Sequence, residues 1–159
     1  GNVIVTNGEI RIRQGGVLEV DDGYIHMSHG GRLIVDGGVF VATNKFKYLS
    51  VAYGKPYINS DHPVFEILSG EAFIKYSKNV SAGMPLQINN NASLKMSGGV
   101  LTLDSDDKSY NLLDFTKNSD QDHVMELSGN SVLKILSGGA TFGRGISTLK
   151  DNASIALPE

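Results

Sequence analysis

The chain contains no cysteine. That excludes a disulfide scaffold and any thiolate metal or thiol-redox centre. It leaves the compartment open, because extracellular repeat proteins manage without disulfides. Tryptophan is absent too, and proline occurs only 4 times. No stretch approaches the roughly 18 consecutive apolar residues of a membrane helix, so no membrane insertion is expected. Lys and Arg number 14 against 17 Asp and Glu, a formal net charge of −3. Without a basic surplus to neutralise phosphates, nucleic acid is excluded as the expected partner. The opening GNVIVTNGEI has neither the basic region nor the apolar core of a signal peptide.

What the chain does have is glycine, 19 residues, and a 40% apolar content. A length of 159 residues suits one domain with a real core. The glycines are regularly placed. VIVTNGEIRI (3–12), LEVDDGYIHM (18–27) and LIVDGGVFVA (33–42) align without a gap, with Gly8, Gly23 and Gly38 at one position. Apolar residues at alternate positions mark strands, whose side chains point to opposite faces in turn. Glycine between two such pairs marks a sharp corner. Each unit reads as strand, corner, strand.

A longer period follows. Strand openings are expected at Val3, Leu33, Phe65, Leu94, Met125 and Ile155, about 30 residues apart. Halfway strands are expected at LEV (18–20), LSV (49–51) and LDF (113–115). Above this sits an echo at 61: Leu33 and Leu94, Gly37-Gly38 and Gly98-Gly99, Asp61-His62 and Asp122-His123, Asn91-Ala92-Ser93 and Asn152-Ala153-Ser154. The expected fold is all-β, a single-stranded parallel β-helix or β-solenoid of about five coils of roughly 30 residues. In it the six openings stack as one inward column, about 4.8 Å per coil. A β-sandwich would also show many short strands but needs no such echo, and a propeller needs longer repeats of roughly 40 residues. Residues 1–159 are read as one solenoid domain. Because strands open and close it without polar caps, we expect a piece of a longer chain.

The glycine-cornered boxes at 3–12, 18–27 and 33–42, with echoes at 65–74 and 94–103, resemble the right-handed parallel β-helix (pectin-lyase-like) superfamily. The Gly- and Asn-rich style of NNNASLKMSGGVLTL is most similar to the β-solenoid regions of bacterial surface and adhesin proteins. The resemblance implies right-handed winding, a secreted or cell-surface location, and either a carbohydrate-active or an adhesive role.

Several residues invite a functional reading. Pectin-hydrolysing members carry Asp residues, a Gly-His-Gly element and a basic element. The nearest likenesses are Asp21-Asp22, Ser28-His29-Gly30-Gly31 and Arg32, but His29 is not flanked by two glycines, and Asp21-Asp22 suits a polar corner. Asp104, Asp106 and Asp107 supply oxygen ligands of the kind Ca²⁺ takes, yet a solvated loop explains them more simply. Asp61-His62 and Asp122-His123 could orient an imidazole for acid–base work, but a repeat duplicates turn residues without any such role. Asn79, Asn91 and Asn152 head glycosylation sequons, but corner asparagines that bond neighbouring backbone account for them more simply.

The segment KFKYLSVAYGKPYI (45–58) stands apart. It sets Phe46, Tyr48, Tyr53 and Tyr57 among Lys45, Lys47 and Lys55. Alternation puts Lys45, Lys47 and Leu49 on one side and Phe46 and Tyr48 on the other, so that some aromatics reach the surface; the alternative is that they cover the solenoid or extend its core. Tyrosine stacks on sugar faces, offers a polar tip and is favoured at protein contacts. These seven residues form the expected ligand-binding surface. No catalytic residue, metal site or cofactor is assigned. The expected function is a non-enzymatic adhesin or stalk of the cell surface or extracellular space that binds glycan or a host or cell-surface protein. The alternatives are a polysaccharide lyase or hydrolase of the β-helix type and a module that self-associates end to end.

Overall fold

The computed structural model describes residues 1–51, 62–77, 86–89, 92–115, 123–142 and 145–158. Among them are strands and turns and no helix. The strands are β1 (Val3–Thr6), β2 (Glu9–Arg13), β3 (Val17–Ser28), β4 (Arg32–Val51) and β5 (Val64–Tyr76). They continue with β6 (Leu86–Ile88), β7 (Ser93–Met96), β8 (Val100–Ser105), β9 (Asn111–Asp114) and β10 (His123–Leu127). The last are β11 (Val132–Ile135), β12 (Gly139–Thr141), β13 (Ile146–Leu149) and β14 (Ser154–Ala156).

Every pairing among the described residues is parallel. The pairings form three ladders. In ladder I the inward column is Ile10, Leu33, Phe65, Leu94 and Met125. In ladder II it is Leu18, Phe40, Ala72, Leu101, Leu133 and Ile155. In ladder III it is Val3, Ile25, Leu49, Leu86, Leu113 and Ala140. All three columns belong to, or pack against, one hydrophobic core. Phe40 of ladder II meets Phe65 of ladder I edge-on across that core, with ring centroids 6.1 Å apart. β3, β4 and β5 run through corners from one ladder into the next, so the ladders join as one continuous parallel sheet curled around its own interior. The fold is β-solenoid-like, as the alternation and glycine corners require.

The register corrects the expected stacking at both ends. Val3 pairs with Ile25, and Ile10 is the partner of Leu33. Ile155 pairs with Leu133, whereas Met125 pairs with Ser147. Leu18 pairs with Phe40 on ladder II, while Leu49 and Leu113 lie on ladder III with Leu86 between them. The centre of the expected column, Leu33, Phe65, Leu94 and Met125, does stack.

The physical reason is that the chain's pairing distance varies. Val17 pairs with Val39 and Met125 with Ser147, each 22 positions on. Arg32 pairs with Val64, 32 on, and Leu49 with Leu86, 37 on. Only in the middle does a step of about 30 land on the same ladder. The boxes at 3–12, 18–27 and 33–42 each hold two strands, but a turn of chain uses three. Successive boxes therefore begin on ladders III, II and I. Inward alternation looks alike on all three, so the sequence pattern carries no label for the ladder.

The corner from ladder I to ladder II keeps a glycine in its first four turns. The residue just before each ladder II strand is Gly16, Gly38, Gly70, Gly99, Ser131 and Ala153 in turn. At Gly99, φ is +71° and an added Cβ would lie 2.5 Å from the Gly70 carbonyl oxygen. Neighbouring coils pass too close there for a side chain, while the Gly99 carbonyl accepts the Val132 amide at 3.0 Å. This corner echoes faithfully over 61 positions because it is a backbone contact repeated from coil to coil.

Candidate binding face

The six ladder I to ladder II connections, residues 14–16, 36–38, 68–70, 97–99, 128–131 and 150–153, barely change in length. The other two corners do not keep this rule. Connections from ladder II to ladder III run 21–24, 43–48, 77–85, 106–110 and 136–138. Those from ladder III to ladder I run 7–8, 29–31, 52–63, 89–92, 115–122 and 142–145. The large differences in connection length thus fall at the two corners that flank ladder III. In repeat proteins, insertions confined to one face are often where binding occurs.

The segment 45–58 enters this face. Tyr53, Lys55 and Tyr57 lie outside the described residues. Lys45, Phe46, Lys47 and Tyr48 are described, and they do not alternate as expected. Asp22 pairs with Lys45, Gly23 with Phe46 and Tyr24 with Tyr48, so the register shifts and Lys47 is the extra residue of a β-bulge. The bulge resets the pleat. Phe46 and Leu49 are both fully buried in the core. Phe46 therefore fills the interior and does not offer its ring to a surface ligand. Lys45 is exposed, and Lys47 and Tyr48 are half-buried.

Tyr48 is one of three stacked rings on the outer side of ladder III. Its ring lies 5.3 Å from Tyr24 at an interplanar angle of 4°, and 5.2 Å from His26. Tyr24 and His26 stack at 4.1 Å. The His26 Nε2 and the Tyr48 hydroxyl are hydrogen-bonded at 2.9 Å. Burial, with 8% of the residue exposed, pushes the His26 imidazole below its usual pKa. His26 was not singled out in the sequence. The signal was present: Tyr24 and His26 take alternate outward positions, and Tyr48 pairs with Tyr24 one coil on. Next along the same outer row Ser50 follows His26 in register, buried, and accepts a hydrogen bond from the Asn89 amide at 3.2 Å.

The remaining candidates are held in local structure. Asp21 accepts from the Thr43 hydroxyl at 3.3 Å and the Asn44 amide at 3.1 Å, which makes it a corner residue. Arg32 is committed to Glu66 at 2.6 Å and Glu9 at 3.5 Å on the outside of ladder I. Asp104 takes Lys75 at 3.2 Å, the Ser137 hydroxyl at 3.0 Å and the Ser105 amide at 2.8 Å. Asp107 receives the Ser109 amide and hydroxyl at 2.9 and 2.7 Å. Among the described residues, no three His, Asp or Glu side chains gather as a set that could hold a metal ion.

Asp61 and Asp122 lie outside the described residues, as do Asn79 and Asn91. His62 is exposed just before β5, and His123 opens β10. The Asn152 amide donates to Asn130 Oδ1 at 3.2 Å, one corner stacked on the next. Its echo is only local, since Ser93 pairs on ladder I and Ser154 on ladder II. No family model, no curated protein and no solved structure matches this chain.

Proposed function

We propose that the chain is a non-enzymatic module of a secreted or cell-surface protein, wound as a single-stranded parallel β-helix. It serves as stalk and adhesive surface and binds a glycan or a protein on the side of ladder III. The observation that carries this reading is that the large differences in connection length fall at the corners flanking that ladder. The half-buried Tyr24 and Tyr48 and the adjoining Lys45 and Lys47 supply the chemistry, flat rings with polar tips beside cationic groups. Of the carboxylates that a polysaccharide lyase or hydrolase could use, Asp21, Asp104 and Asp107 are engaged by neighbouring side chains and amides. A glycan array together with a cell-surface protein screen tests the reading. Binding without release of new sugar ends, weakened by Lys47→Ala and Tyr48→Ala in a protein that still folds, is the expected result. Turnover of a polysaccharide would move the chain to the enzyme class.

A second reading is end-to-end stacking. Among the described residues, β1 and β2 at one end, and β12, β13 and β14 at the other, each pair on one side only. Exposed Ile4 and Val17 lie at the first end and Ile146, Leu149 and Leu157 at the second. Such edges accept either the next coils of a longer chain or another copy. Light scattering that rises with concentration, with filaments in electron micrographs, is its signature.

A further inference from the structure

The outer sides of the three ladders differ in chemistry. Ladder I is charged: Arg11 pairs with Glu9 at 2.7 Å and Asp36 at 3.0 Å, Arg32 with Glu66, and Lys95 with Glu126 at 3.6 Å. Ladder III carries, after Ile4, the polar row His26, Ser50, Gln87, Asp114 and Thr141. Ladder II carries an apolar patch on its outer side, set among the charged Glu19, Glu71, Lys75, Asp104 and Lys134. Phe40, Ala72, Leu101 and Leu133 point to the core, so alternation turns Val39, Val41, Phe73, Val100, Thr102 and Val132 outward. All six are partly exposed. In register, Val41, Phe73 and Thr102 form the middle row, with Glu71 and Lys75 flanking Phe73.

We propose that this face is a self-association surface on which two copies pack ladder II against ladder II about a twofold axis parallel to the stacking direction. That operator keeps each coil level with its counterpart and reverses the strand direction across the interface. The middle row then meets itself, Phe73 on the second copy's Phe73 and Val41 on its Val41. The outer rows exchange, so each Glu71 faces a Lys75 and each Val132 faces a Leu136. Leu136 is 53% exposed in the single chain, and the contact would cover it. The charges favour this operator over a twofold along the strands centred on β5. An axis along the strands at the level of β5 would set Glu71 on Glu71 and Lys75 on Lys75, which costs binding energy. In the chosen arrangement the like-charged meetings are Glu19 with Glu19 and Lys134 with Lys134. Both residues are exposed, and there salt and water screen them.

The area sets the strength. Five coils about 4.8 Å apart, with some five residues of strand at about 3.3 Å each, give roughly 400 Å² of flat face per copy. Side-chain relief brings the buried surface to the lower end of the specific range, roughly 1,000 Å² in total. The dimer is therefore weak and concentration-dependent.

Sedimentation of the 159-residue chain from micromolar to near-millimolar concentration tests this. The expected result is a monomer–dimer equilibrium with no larger species. Phe73→Lys, which keeps the inward side chains intact, should raise the dissociation constant at least about thirtyfold with the far-ultraviolet spectrum unchanged. Glu71→Lys should raise it about tenfold, and Glu71→Lys with Lys75→Glu should restore it. A chain that stays monomeric throughout overturns the proposal. So does an association indifferent to Phe73→Lys, which would mean stacking through the ends. A double charge exchange that fails to restore pairing rejects the proposed twofold.

Discussion

Gly99→Ala is the sharpest probe of the stacked corner. Gly99 sits at φ +71°, where an L side chain costs about 1–2 kcal/mol. The new methyl would lie 2.5 Å from the Gly70 carbonyl oxygen, 3.0 Å from the carbonyl carbon of Ser69 and 3.0 Å from Ile67 Cγ2. Two of these three atoms are backbone of the preceding coil, which no rotamer change can move aside. Reaching ordinary contact at 3.4 Å needs a separation of about 0.9 Å between the coils at that point. The bonds nearest the shift are Val132 N to Gly99 O and Ser97 N to Ile67 O, both 3.0 Å. Each contributes about 1 kcal/mol net. Strain and weakened bonds together give a loss of roughly 3–5 kcal/mol, a large part of the ~5–15 kcal/mol that holds a domain. At this chain length the melting temperature should fall by roughly 10 °C. Gly8→Ala is the control, since the nearest atom to its added methyl is Thr6 O at 3.7 Å and its φ is ordinary. It should stay within about 0.5 kcal/mol of the parent. Urea unfolding followed by circular dichroism and by tyrosine fluorescence measures both. A Gly99→Ala loss below about 1 kcal/mol, or one equal to that of Gly8→Ala, would refute the close stacking of these corners.

Ser131 takes the corresponding place one coil later; it is fully buried, and its hydroxyl has no partner among the described residues. Ser131→Ala should therefore stabilise the protein by about 1 kcal/mol, read as a higher urea midpoint at unchanged slope. Phe46→Ala should cost about 3–5 kcal/mol because the ring is fully buried, whereas Lys47→Ala, at the bulge, should leave the urea midpoint nearly unmoved. Burial lowers the His26 pKa in the folded chain, so as pH falls the unfolded state takes up the proton first. Its contribution is fully present above the ordinary histidine value near 6.5 and is lost as pH drops through the folded value. His26→Gln should flatten that part of the stability–pH curve, and an unchanged slope would remove His26 as its source.

How much could be read in advance differs between fold and site. The strands around Val3, Leu18, Leu33, Phe65 and Leu94 follow from alternation, which is local and survives any arrangement of coils. The corner at Gly98-Gly99 was legible for the same reason, because a contact that excludes a Cβ leaves glycine behind. At the candidate face the tyrosine–lysine composition of 45–58 was visible, but its facing was not. A single bulged residue, Lys47, sends Phe46 and Leu49 both inward and leaves Tyr48 beside Tyr24 and His26.

The sequence by itself determined that this chain is built of short strands with one apolar side, turned at glycine corners and stacked in a repeating way. Those properties depend on neighbours along the chain. Which strand lies on which was decided only in three dimensions. Val3 belongs with Ile25 and Ile155 with Leu133, because three strands make a turn and the connections beside ladder III range from residues 7–8 to residues 52–63. An inward valine looks the same on every ladder. Only closure around a single core assigns it a partner.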